Sequence, residues 1–94
     1  SDYGTEHAKQ TEREMVDRIT AVLDAAVDAD LMRPETDRVM LATQLILLCH
    51  GWVLKDSLLR KGRTAAAYGT SVVEMAVNGW ATPTGRKAWE RRRG

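Results

Sequence analysis

Cys49 and His50 stand side by side, and by residue type they come nearest to a nucleophile and its base. A thiolate needs its base within hydrogen-bond reach, whereas adjacent residues on a helix do not face each other. Cys49 is also the only cysteine, and it sits within the apolar run Leu45–Cys49. It reads as an inert buried hydrophobe, and the lack of a disulfide partner fits a reducing compartment. On a helical projection His50 falls with Thr43 and Ser57, beside the apolar strips. That position suits a hydrogen-bonding residue at a rim or interface, with a pH- or effector-sensing role as the alternative. His7 has no further ligand at a metal spacing and reads as solvated. Asp24, Asp28 and Asp30 gather near a helix C-terminus, where negative charge is unfavourable. They form a solvated acidic face, a pairing with Arg33, or a cation site.

Other catalytic patterns are missing. The chain has no HExxH, no glycine-rich phosphate loop and no convergent Ser-His-Asp set. A three-helix enzyme binding a dicarboxylate would need inward-facing arginines, and the inward stripe of the first helix has none. The expectation is a non-enzymatic protein with no catalytic residues, metal site or cofactor.

The 94 residues bound one domain, 44% hydrophobic and 29% charged, with only two prolines, which disfavours a disordered or fibrous chain. Net charge is +1, unevenly spread. Arg86, Lys87, Arg91, Arg92 and Arg93 against Glu90 make the last eleven residues +4, leaving about −3 for the remainder. An acidic body cannot neutralise a phosphate backbone, so any contact with DNA falls to the tail or to sequence outside this chain. No stretch reaches the ~18 apolar residues of a spanning helix, and no signal peptide is legible. The first residue is Ser1 rather than methionine, consistent with N-terminal sequence lying outside this piece.

The positioning elements are helices. Over Thr5–Ala29, Ala8, Met15, Ile19, Val22, Leu23 and Ala26 recur at three- and four-residue steps, with Arg13, Asp17, Asp24 and Asp28 opposite. Pro34 forces a turn between Asp30 and Glu35, and Thr36 or Asp37 caps the next helix. That helix is expected from Asp37 to Lys61, ~37 Å long at 1.5 Å per residue. Gly62 follows as its left-handed stop. A third helix is expected over Thr64–Asn78, with Gly79 as its stop and Trp80 packing just beyond. The expected class is all-α, with three antiparallel helices. Domain boundaries fall at 1–83 for the helical domain and 84–94 for a basic tail, read as a solvated helix or a disordered end. Trp89 among the arginines allows weak contact with nucleic acid or an acidic partner.

The middle helix carries more apolar surface than two neighbours can shelter. Leu41, Leu45, Leu48, Trp52 and Leu59 form one stripe, and Met40, Leu47, Gly51, Leu54 and Leu58 a second. Val39, Ala42, Ile46, Cys49 and Val53 add a shorter third. An exposed stripe of this size exceeds what soluble monomers tolerate. The expectation is therefore a homodimer in which the last two helices of each chain form an intermolecular four-helix bundle. Its interface residues are Leu47, Gly51, Leu54, Leu58, Gly69, Val72, Val73 and Ala76. The two glycines sit on apolar faces, at a cost of about 1 kcal/mol each relative to alanine, and suggest close helix approach. Trp52 with Leu48, Leu45 and Met15 is either plain core or the aromatic wall of a ligand cavity. Met40 and Met75 would lend such a cavity adaptable surface.

"LMRPETD" at 31–37, a long apolar helix with "HGW" near its middle, and a shorter helix ending in "NGW" together resemble the C-terminal regulatory domain of TetR-family transcriptional repressors. Arg33, Pro34, Glu35 and Asp37 fit that family's turn, while Asp30 stands where it often has glycine and Met32 where it often has leucine. The likeness spans about Glu6 to Trp80. It implies a cytoplasmic transcription regulator that homodimerises through its final helices and binds a small, apolar effector against the first helix and the start of the second. Met15, Ile19, Met40, Leu45, Leu48 and Trp52 would be the ligand-binding residues. The DNA-binding helix-turn-helix would lie upstream, so operator DNA would be a partner only through a domain absent here. A stand-alone helical dimerisation module without a ligand is the alternative reading.

Overall fold

Pro34 lacks the N–H that a helix interior needs, and the two longest helices meet around it. The computed structural model describes residues 2–94. It has α1 at Asp2–Asp28, α2 at Arg38–Leu54, a single-turn α3 at Asp56–Leu59, α4 at Ala65–Trp80 and α5 at Pro83–Arg93. Among the described residues there is no strand beyond an isolated antiparallel bridge between Met32 and Ala81, so the class is all-α. Among the described residues no helix is long and apolar enough to cross a membrane.

Backbone chemistry accounts for the ends of these helices. At the end of α1, Leu31 N–H bonds to Ala26 O at 2.8 Å and Asp30 N–H to Val27 O at 3.0 Å, the paired bonds of a Schellman cap. The left-handed position of that cap is held by Asp30, with φ of 60°. Asp37 caps α2, its carboxylate accepting from Met40 N–H at 3.0 Å. Thr36 is buried instead, its hydroxyl donating to Arg33 O at 2.6 Å.

The expected second helix, Asp37–Lys61, is interrupted. Lys55 leaves helical geometry at φ −125°, ψ 41° after its N–H closes the last α2 bond onto Gly51 O. The break lets α3 turn back on α2. Leu59 Cδ1 and Tyr68 Oη come to 3.7 and 3.6 Å from where a Gly51 side chain would begin. Arg63 then caps the freed carbonyls of Leu58 and Leu59, each at 3.2 Å. Gly62 takes φ of 73°.

Helix α4 also departs from expectation, running through Gly79 to Trp80. Its stop comes from Pro83, which disfavours helical geometry in the residue before it. Ala81 and Thr82 are extended, with ψ of 146° and 167°. The extended pair lies along the α1–α2 turn: Arg33 N–H bonds to Trp80 O at 2.9 Å and Thr82 N–H to Leu31 O at 3.1 Å. The Thr82 hydroxyl donates to Asp30 O at 2.6 Å and accepts from Gly85 N–H at 3.0 Å, so one buried residue ties the turn and caps α5. Gly85 sits so close that a Cβ there would lie 1.8 Å from Leu31 O. The Arg33 guanidinium bonds to Gly79 O and lies 5.2 Å from the Trp80 ring centroid. The basic tail is thus a helix, of the two forms open to it, held further by Arg93–Glu74 at 2.5 Å and Arg86–Asn78 at 3.1 Å.

Helix α2 is the centre, packing on α1 and on α4. Leu23, Met32, Leu41 and Ala42 form the buried cluster, with Val16, Ile19, Ala26, Val27, Leu45, Ala76 and Trp80 around it. Arg38 and Asp24 join α2 to α1 at 2.6 Å. Asp24 therefore pairs with Arg38, while Arg33 pairs with Glu35 at 3.7 Å. The result is an open layer, 47 × 34 × 17 Å, with a Cα radius of gyration of 15.1 Å. A compact chain of this length would have about 12 Å.

Candidate functional site

The three apolar stripes of α2 meet different fates. Leu41, Leu45, Leu48, Trp52 and Leu59 are buried or half-buried within the chain. In the second stripe, Met40, Leu47, Leu54 and Leu58 stay 54%, 62%, 75% and 70% exposed. The third is divided, with Ala42 and Ile46 buried but Val39, Cys49 and Val53 exposed. On α4, Met75 is 60% and Val73 42% exposed. Total accessible surface is 6889 Å², whereas a folded monomer of this mass exposes about 5,400 Å². The surplus is about 1,500 Å², nearly twice the ~800 Å² that each partner gives to a standard protein–protein interface. Some of it belongs to the first turns of α1, exposed from Tyr3 through Glu14.

A cavity of about 420 Å³ opens between α2 and α4, lined by Leu41, Gln44, Leu45, Leu47, Leu48, Val72, Met75, Ala76 and Trp80. Buried Leu41 and Val72 form part of the wall, while exposed Leu47 and Met75 belong both to the wall and to the bare apolar face. The Gln44 amide and the Trp80 indole N–H are the polar side-chain groups in the lining.

Of the residues expected to bind ligand, Leu45 and Leu48 line this cavity, and Met15, Ile19, Met40 and Trp52 do not. Ile19 packs on the core between α1 and α2. That contact is packed by Leu23 and Ala42, and the α2–α4 cavity takes no residue from α1 into its wall. Trp52 meets Tyr68 with ring centroids 5.4 Å apart, and Arg60 lies 5.3 Å from its ring. Tyr68 donates to Leu48 O at 2.6 Å, tying α4 to α2. Met40 stands exposed on the bare face.

Of the residues expected at a dimer interface, Leu47, Leu54, Leu58 and Val73 are exposed. Val72 is buried and Ala76 packs on the chain's own core. A Cβ at Gly51 would stand in ordinary contact with Tyr68 and Leu59 of the same chain, and nothing stands within 4 Å of a Gly69 Cβ. Of the α4 residues in the cavity wall, the sequence alone assigns only Met75 to a ligand cavity, placing Val72 and Ala76 at the dimer interface and Trp80 beyond the helix. Val72, Met75, Ala76 and Trp80 follow one helical stripe, which could have flagged the shared wall. Cys49 is exposed rather than buried, and His50 is half-buried. Among known proteins the chain matches no family model, no curated protein and no solved structure.

Proposed function

We propose that this chain is a homodimerising, ligand-responsive regulatory domain of the TetR-like kind, with no catalytic role of its own. A second copy covers the outer faces of α2 and α4, producing an intermolecular four-helix bundle. One observation carries the reading: Met40, Leu47 and Leu54 stand exposed along one stripe of α2, with Leu58 of α3 and Val73 and Met75 of α4 exposed as well, in a chain with about 1,500 Å² more surface than its mass requires. Regulation works by population shift, an uncharged apolar effector favouring one spacing of the paired chains. Operator DNA is contacted by a domain outside this chain.

The alternative, a dimerisation module without a ligand, shares that observation and differs in one outcome. A thermal-shift screen with uncharged hydrophobic molecules on a chain of dimeric mass tests the choice. Saturable stabilisation by one chemical class supports ligand sensing. Dimeric mass with no response across the screen leaves the dimerisation module.

A further inference from the structure

The cavity between α2 and α4 does not match the position that the first helix was expected to supply, and its chemistry is specific. Its lining holds no charged side chain, one amide at Gln44, and otherwise aliphatic groups with the Trp80 indole. Its volume of about 420 Å³ lies within the roughly 300–1,000 Å³ that houses small organic ligands. At ~30 Å³ per molecule the space would hold more than ten waters, and the side chains around it offer them only the Gln44 amide and the Trp80 indole N–H. One end of the wall is stiff: Trp80 is fixed through its carbonyl by Arg33 N–H at 2.9 Å and across its ring by the Arg33 guanidinium. Toward the bare face it is adaptable, where the unbranched Met75 side chain stands 60% exposed.

Leu47 and Met75 belong to both the cavity wall and the face that the proposed dimer covers. A ligand in one isolated chain would leave part of its surface in water. With a second copy in place the same ligand would be enclosed. We infer that the α2–α4 cavity binds an uncharged, mostly apolar small molecule bearing one hydrogen-bonding group for the Gln44 amide, and that the second copy completes the site, so that occupancy and dimerisation are thermodynamically linked. This rests on the dimer reading above. By reciprocity, whatever factor dimerisation adds to ligand affinity, the ligand returns to dimer affinity.

The test uses the fluorescent, uncharged probe N-phenyl-1-naphthylamine, titrated at protein concentrations below and above the dimer midpoint, with mass read in parallel by sedimentation equilibrium. Saturable binding of one probe per protomer is expected, at least tenfold tighter in the dimeric range, with saturating probe lowering the dimer dissociation constant. Leu58→Glu, which lies outside the lining, should give a monomer that binds the probe at least tenfold more weakly. Ala76→Phe and Gln44→Trp each fill the cavity and should cut probe affinity at least tenfold. Each is checked for helicity, and Gln44 is exposed, so its variant has little fold to lose. A dimer without saturable probe binding would overturn this inference, the cavity being filled by the second copy's side chains, and would leave the dimer standing. Equal affinity in monomer and dimer would overturn the linkage. A monomer at every concentration would overturn the dimer reading as well.

Discussion

Replacing Leu54 by glutamate separates the stability of one chain from the stability of the pair. Leu54 is 75% exposed within a protomer, and substitutions at such positions usually change fold stability by no more than about 0.5 kcal/mol. Against a second copy the same side chain has three-quarters of its surface still to bury. Full burial of a leucine is worth roughly 1.5–3 kcal/mol, so each protomer would lose about 1–2 kcal/mol of association energy. A two-fold interface counts the loss twice. At ~1.4 kcal/mol per factor of ten, the dimer dissociation constant should rise roughly 30- to 700-fold, before any cost of covering the carboxylate. Sedimentation equilibrium reads the constant, and circular dichroism verifies that the helices persist. Val22→Glu is the matched control: Val22 is 67% exposed and apolar, but lies on α1, away from the bare row. Its dissociation constant should move less than threefold. A Leu54→Glu chain that stays helical and dimerises within threefold of the wild type would refute the reasoning.

Other consequences concern the fold itself. Asp30→Gly relieves an L-residue held at φ 60°. Since the left-handed region costs such residues roughly 1–2 kcal/mol, part of it offset by glycine's greater freedom when unfolded, urea unfolding should show a gain of about 0.5–1 kcal/mol. Gly85→Ala sets a Cβ 1.8 Å from Leu31 O and should destabilise by more than about 2 kcal/mol, with loss of α5 helicity in circular dichroism. Gly79→Ala should do the reverse, because Gly79 lies inside α4 with nothing within 4 Å of its Cβ. The helix-propensity difference predicts a stabilisation of about 1 kcal/mol in thermal unfolding. Thr82→Val removes both the bond to Asp30 O and the α5 cap and should cost about 1–3 kcal/mol in urea.

Local sequence made the helical class, the α1–α2 turn and a cap at Thr36 or Asp37 legible, because each depends on residues close together in the chain, and the structure selects Asp37. The split of α2 into a covered and a bare stripe was also legible, since Leu41, Leu45 and Leu48 on one side and Leu47, Leu54 and Leu58 on the other differ only in angle about one axis. What escaped depends on distant partners. Lys55 breaks the helix where Leu59 folds back toward Gly51 and Tyr68, and no local signal marks that. Gly79 has the composition of a stop, yet Pro83 and the bridge from Met32 to Ala81 decide where α4 ends. The tail looked detachable by charge, whereas Thr82 and Gly85 dock it on the Asp30–Leu31 backbone. The sequence resemblance places the effector against α1, whereas the cavity opens between α2 and α4, and its α4 wall depends on a partner helix distant in sequence.

The central claim is that α2 and α4 present a face that only a second chain covers. Small-angle X-ray scattering across a concentration series, with mass taken from forward intensity, tests it most directly. The account predicts a helical particle of twice the 10.5 kDa chain mass, dissociating on dilution or on Leu54→Glu. A folded particle of 10.5 kDa persisting to millimolar concentration, with the 15.1 Å radius of gyration of the single open chain, would contradict it.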